Sequence, residues 1–156
     1  MKLNGLAINA PSVEYVVIPR QSGDVIIECG AVLDYEDFTN LNPQPTPPEL
    51  LLPGGERKKD VEDKEYLKRI GDWARQKTAW LFIKSISNTP GLEWESVELS
   101  NPETWEGWQD ELGSGFSDAE INRIMDGVLT ANGMNQTKID EALKSFLATR
   151  EAAQKA

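Results

Sequence analysis

The chain has 156 residues, with 26 acidic against 16 basic side chains and a formal net charge of −10. It contains no histidine and a single cysteine, Cys29, which excludes imidazole-based catalysis, Cys or His metal centres and any intramolecular disulfide. The acidic balance opposes phosphate backbones and anionic lipid, and no apolar run nears the ~20 residues that span a bilayer. A one-domain, cytosolic-type protein is expected, without nucleic acid, membrane or cofactor. Neither a P-loop nor a dinucleotide-binding glycine pattern occurs, since Gly54-Gly55 runs into Glu-Arg-Lys.

The first third reads as β. Residues 14–18 (EYVVI) and 24–29 (DVIIEC) are β-branched strands joined across a Ser-Gly turn, so a hairpin is expected, and residues 3–9 suggest a further strand. Asp34 caps a single helical turn through Phe38. Four prolines between Pro43 and Pro48 then force an extended, polyproline-like connector that carries Leu50, Leu51 and Leu52 into Pro53-Gly54-Gly55. From Val61 to Ile86 the apolar spacing becomes helical, and Ala79 to Ile83 is apolar all round, which places that end in the core. Residues 92–99 alternate apolar and polar strictly, the pattern of a short strand or extended segment with one acidic face.

Three capped helices are predicted after that. Ser100 or Asn101 opens the first ahead of Pro102, with Trp105, Trp108 and Leu112 on one face. Ser117 and Glu120 form a capping box, with Phe116 and Ile121 as its staple, and Ile124, Met125, Val128 and Leu129 continue the stripe up to a stop at Gly133. The last helix starts between Asn135 and Thr137 and carries Ile139, Ala142, Leu143, Phe146 and Leu147; fraying is expected beyond Thr149. The resulting division is a β-rich segment at 1–42, a Pro/Gly-rich connector at 43–60, a helical domain of about four helices at 61–150 and a tail at 151–156. The fold class is α+β.

The charge is uneven. Residues 91–130 carry ten acids and one base, whereas 56–86 carry nine bases and six acids. Spacing makes core packing the first expectation for the five tryptophans. Large aromatics amid charge are also the composition of an interface hot spot, so Trp94, Trp105 and Trp108 are partner-binding candidates. Leu50, Leu51 and Leu52 are candidates as a docking segment. Carboxylate pairs for acid–base chemistry can be drawn among Glu93, Glu95, Glu98, Glu103, Glu106 and Asp110, but all lie on faces that read as solvated, so no catalytic residue is assigned. No calcium loop is present either, and Cys29 reads as a small buried hydrophobe.

Several segments together resemble the tail assembly chaperones of long-tailed, siphovirus-type bacteriophages. These are Asn101-Pro-Glu-Thr-Trp105, Gly115-Phe-Ser-Asp-Ala-Glu-Ile121, Ala131-Asn-Gly133 and Lys138-Ile-Asp-Glu-Ala142 running to Phe146-Leu147. Arg75 to Trp80, Thr89 to Trp94 and Leu33 to Phe38 look similar to the same group. The resemblance implies a non-enzymatic protein of the host cytoplasm that binds the tape measure protein, keeps it soluble and gives way as tail tube subunits polymerise. It also implies a frameshifted longer form and leaves self-association open. No site residue carries over, because the shared segments are packing and capping patterns. The β hairpin departs from the mainly helical build of many such chaperones. That departure sustains a rival expectation, a structural or tail completion protein retained in the virion. The acidic stretch sustains another, a decoy of a host nucleic-acid-binding protein.

Overall fold

The computed structural model describes residues 1–8 and 13–155; residue 9, the end of the first suggested strand, lies outside them. Twelve elements follow in order: β1 (Lys2–Leu3), β2 (Leu6–Ala7), β3 (Glu14–Ile18), β4 (Val25–Cys29), α1 (Glu36–Leu41), β5 (Glu49–Leu51), β6 (Arg57–Lys59), α2 (Lys64–Ile86), a 3-10 segment (Pro102–Gly107), α3 (Trp108–Gly113), α4 (Asp118–Ala131) and α5 (Gln136–Lys155). The strands pair as three antiparallel hairpins, β1–β2, β3–β4 and β5–β6. The protein is α+β.

The chain forms two compact units that are discontinuous in sequence, and α2 runs from one into the other. The linear division expected at residues 42, 60 and 150 is therefore not the one the fold makes. Unit 1 comprises Met1–Val32, Ser85–Leu92 and Phe116–Ala156. In its β3–β4 hairpin, Val16 faces Ile27 and Ile18 faces Val25 across the register. Val16, Ile18, Ile27 and Cys29 point inward and are buried, while Tyr15, Val17 and Ile26 point out, the period-2 alternation of a half-covered sheet. α4 lies against the inner face, with Ile124 and Val128 buried. The approach is close at Gly127, where a Cβ would stand 2.6 Å from Val16 Cγ2 and 3.1 Å from Cys29 Sγ.

The hairpin is tied in further by polar contacts within unit 1. The Glu28 amide donates to Thr89 Oγ1 at 2.9 Å, and Gly30 exchanges bonds with Ser85 through its amide (3.0 Å) and its carbonyl (2.7 Å, from Ser85 Oγ). Arg123 Nη2 donates to the Val17 carbonyl at 2.8 Å.

Unit 2 comprises Leu33–Lys84 and Glu93–Gly115. Its centre is Phe38, fully buried, with the rings of Trp73, Trp80 and Trp105 at 5.6, 5.7 and 5.7 Å between centroids. Tilted aromatic pairs at such separations add to plain area burial. Phe82 stacks on Trp108 at 5.0 Å. Two indole N–H groups are satisfied by backbone: Trp73 Nε1 donates to the Asn42 carbonyl at 2.9 Å, and Trp105 Nε1 to the Glu98 carbonyl at 3.0 Å. Ala79 to Ile83 are all buried, as their all-round apolar sequence predicts.

Several local expectations change. Residues 92–99 form an irregular segment with a bend at Glu95 and Ser96, and no strand: the Glu111 carboxylate accepts from the Glu95 and Ser96 amides, so side chain rather than neighbouring strand satisfies that backbone. The polyproline connector contains a hairpin, because Gly54 and Gly55 supply φ values of 99° and 85° and the Leu52 amide closes on the Glu56 carbonyl at 2.7 Å. α2 accordingly starts at Lys64, with Asp63 Oδ2 accepting from the Tyr66 amide at 2.9 Å. The helix expected after Asn101 divides into a 3-10 segment and α3, with Asn101 capping as predicted. α5 continues to Lys155 instead of fraying at Thr149.

Candidate partner-binding surfaces

The tryptophan candidates do not form a surface. Trp105 is fully buried and Trp108 is 6% exposed; their neighbourhood is the aromatic centre of unit 2, so their assignment to a partner site is corrected to core. The acids flanking them in sequence lie on the outer side of the short helical segments that bring these rings inward. Trp94 is half-buried.

The leucine candidates stay in solvent. Leu50, Leu51 and Leu52 are 48, 73 and 37% exposed. In the register of the β5–β6 hairpin, Leu50 lies opposite Lys58, Leu51 opposite Arg57 and Glu49 opposite Lys59. Every residue of the two strands is exposed, so neither face of the hairpin is covered. Apolar side chains along one strand and cations along the other make a small amphiphilic ribbon. Within it Arg57 pairs with Glu49 at 3.4 Å, a solvent-exposed contact of little energetic weight.

A second uncovered surface lies outside the sites expected from sequence. α5 buries none of its residues, and Ile139, Leu143, Phe146 and Leu147 are 43, 54, 59 and 47% exposed. The helical spacing of these four is legible in the sequence, but spacing reports only that a face seeks cover, not that the rest of the chain withholds it.

The ionisable groups serve structure. Glu120 completes the capping box by accepting from the Ser117 amide at 3.0 Å, and it also receives both Arg20 guanidinium nitrogens. The Arg20 bonds, reinforced by the Ser117 amide, hold its carboxyl down to about 2. Burial works against ionisation of Glu111, but bonds from the Ser96 hydroxyl and the amides of Glu95, Ser96 and Val97 outweigh it and lower its pKa. Burial pushes the Cys29 thiol up to about 12, with Glu14 adding to the effect, so it is protonated and unreactive at neutral pH.

Among the described residues, no group of three or more His, Cys, Asp or Glu side chains is placed to hold a metal ion. A depression of about 530 Å³ in unit 2 is lined by Ala74, Thr78, Trp108, Arg75 and Glu106 among others. Arg75 is already paired with Asp72. No helix among the described residues is long and apolar enough to cross a membrane. No protein-family model, curated protein or solved structure matches this chain.

Proposed function

We propose that this protein is a non-enzymatic tail assembly chaperone of a long-tailed bacteriophage, which holds the tape measure protein in the host cytoplasm until tail tube subunits replace it. The resemblance of segments 33–38, 75–80, 89–94, 101–105, 115–121, 131–133 and 138–147 supports the reading. The structural observation that carries it is the β5–β6 hairpin, with Leu50 and Leu51 in solvent opposite Lys58 and Arg57 and Leu52 exposed beside them. A holdase must leave apolar surface free, and its complex must stay small enough to reverse. The ribbon fits a segment of the client whose apolar side chains are flanked by acids.

The test is co-expression with the tape measure protein of the same phage. The wild-type chain is expected to raise the soluble fraction of that client several-fold. Leu50→Asp with Leu51→Asp should abolish the gain without changing the circular dichroism spectrum, since both side chains are exposed. An insoluble client in the presence of folded wild-type chain would overturn the reading.

One observation favours a rival. The outer face of the two-stranded β3–β4 sheet presents Tyr15, Val17 and Ile26 to solvent, and a pair of strands is a template to which a tube subunit can add another. A structural role of that kind requires the chain in purified virions, where mass spectrometry would find it in stoichiometric amount; a chaperone is absent from them.

A further inference from the structure

Helix α5 is uncovered along its whole length, and its charge pattern identifies what covers it. With about 100° between successive residues, Ile139, Leu143, Phe146 and Leu147 fall on one stripe. The two flanks of that stripe differ. One carries Asp140, Lys144, Glu151 and Lys155; the other carries Ala142, Thr149 and Ala153, with Lys138 at its N-terminal end.

We propose that α5 binds α5 of a second copy of this chain, antiparallel, with the two-fold axis passing beside Leu147. A two-fold axis across an antiparallel pair brings like flanks together. The small flanks then meet and allow close approach, and the charged flanks meet with alternating sign. Lys144 lies at the level of Glu151 of the second copy and Asp140 at the level of Lys155, each contact occurring twice. Leu143, Phe146 and Leu147 of both copies form the apolar centre; Arg150, which falls on the same stripe, lays its methylenes over Leu143 of the second copy and turns its guanidinium out to solvent.

The alternatives are worse by the same criterion. A parallel pair sets the charged flank against the small one, so that each charge keeps only its i,i+4 neighbour on its own helix and gains no opposite across the interface. Moving the axis to Leu143, nearer the middle of the apolar stripe, sets Lys144 against Lys144. Charge therefore fixes both direction and register, as it does in helical pairs generally. The apolar patch is a few hundred Å², below the roughly 800 Å² per partner of a standard stable interface, so the pairing is weak and reversible. It does not depend on the identity of any client.

Sedimentation velocity of the full chain at low salt tests this, from a few to several hundred micromolar. A concentration-dependent shift from monomer to dimer is expected. Leu147→Asp should remain monomeric across the range while keeping its fold, because α5 buries none of its residues. Lys144→Glu and Glu151→Lys should each weaken association about tenfold, since each turns two attractive contacts repulsive. Mixing these two single variants should restore association, because the carboxylate introduced in one copy then meets the ammonium introduced in the other. A monomer at every concentration overturns the proposal. So do a Leu147→Asp dimer, which places the interface elsewhere, and single variants that fail to recover on mixing, which removes the antiparallel register.

Discussion

At the residue scale, Glu120 does more than its sequence context suggests. The pattern from Ser117 to Glu120 announces a capping box, and the box forms. Nothing in the sequence announces Arg20, a hundred positions away, whose guanidinium donates to both oxygens of the same carboxylate. The consequence is a pH dependence with a definite sign. Glu120 has a folded pKa of about 2 against an ordinary 4.5, so the folded state favours the ionised form. Its contribution to stability is complete above the ordinary value and drains away as pH falls from there to about 2. Thermal unfolding followed by circular dichroism should show Tm dropping through that window in the wild type. Glu120→Gln should begin from a lower Tm at neutral pH and lose less on acidification. Equal acid sensitivity in the two proteins would mean that other carboxylates, Glu111 among them, govern the acid limb.

At the element scale, the sequence foretells what each segment can do alone and misses what its neighbours supply. Helix α4 is legible from its cap, stripe and stop, and Gly133 does end it at φ 66°. The 92–99 segment has the alternation of a strand, yet Glu111 captures its amides first. The β5–β6 hairpin hides inside a proline-rich stretch because its signal is two glycines rather than a hydrophobic pattern. The aromatic centre shows the same division. Trp105 amid acids has interface composition, but its ring packs on Phe38, which Trp73 and Trp80 also contact, and only that convergence decides the matter. Trp105→Ala should therefore cost about 3–5 kcal/mol, a large part of the roughly 5–15 kcal/mol that holds a domain folded. Urea denaturation would register this as a fall in midpoint. A midpoint within error of wild type would return Trp105 to the surface.

At the scale of the whole molecule, burial is sharply graded along the chain. The core of unit 1 is drawn from β3, β4, the end of α2 and α4, so the β3–β4 hairpin belongs to the body of that unit. The C-terminal helix is the reverse case: twenty residues with no buried side chain. A chain ending at Asn135 should unfold within about 2 °C of the full-length protein when both are dilute, with helicity reduced by the missing segment. On raising concentration, only the full-length Tm should climb, because association stabilises whatever it binds. A large loss of stability in the dilute truncated chain would show that α5 supports the body directly.

The placement of aromatic rings and thiol gives this protein two internal reporters without any label. All five tryptophans, at 73, 80, 94, 105 and 108, belong to unit 2, and the sole cysteine belongs to unit 1. Emission excited at long ultraviolet wavelength therefore follows the melting of unit 2 alone, while the rate at which a thiol reagent reaches Cys29 follows the opening of unit 1. Comparing the two signals through one denaturant titration tells whether the halves, interleaved in sequence, come apart together or in turn.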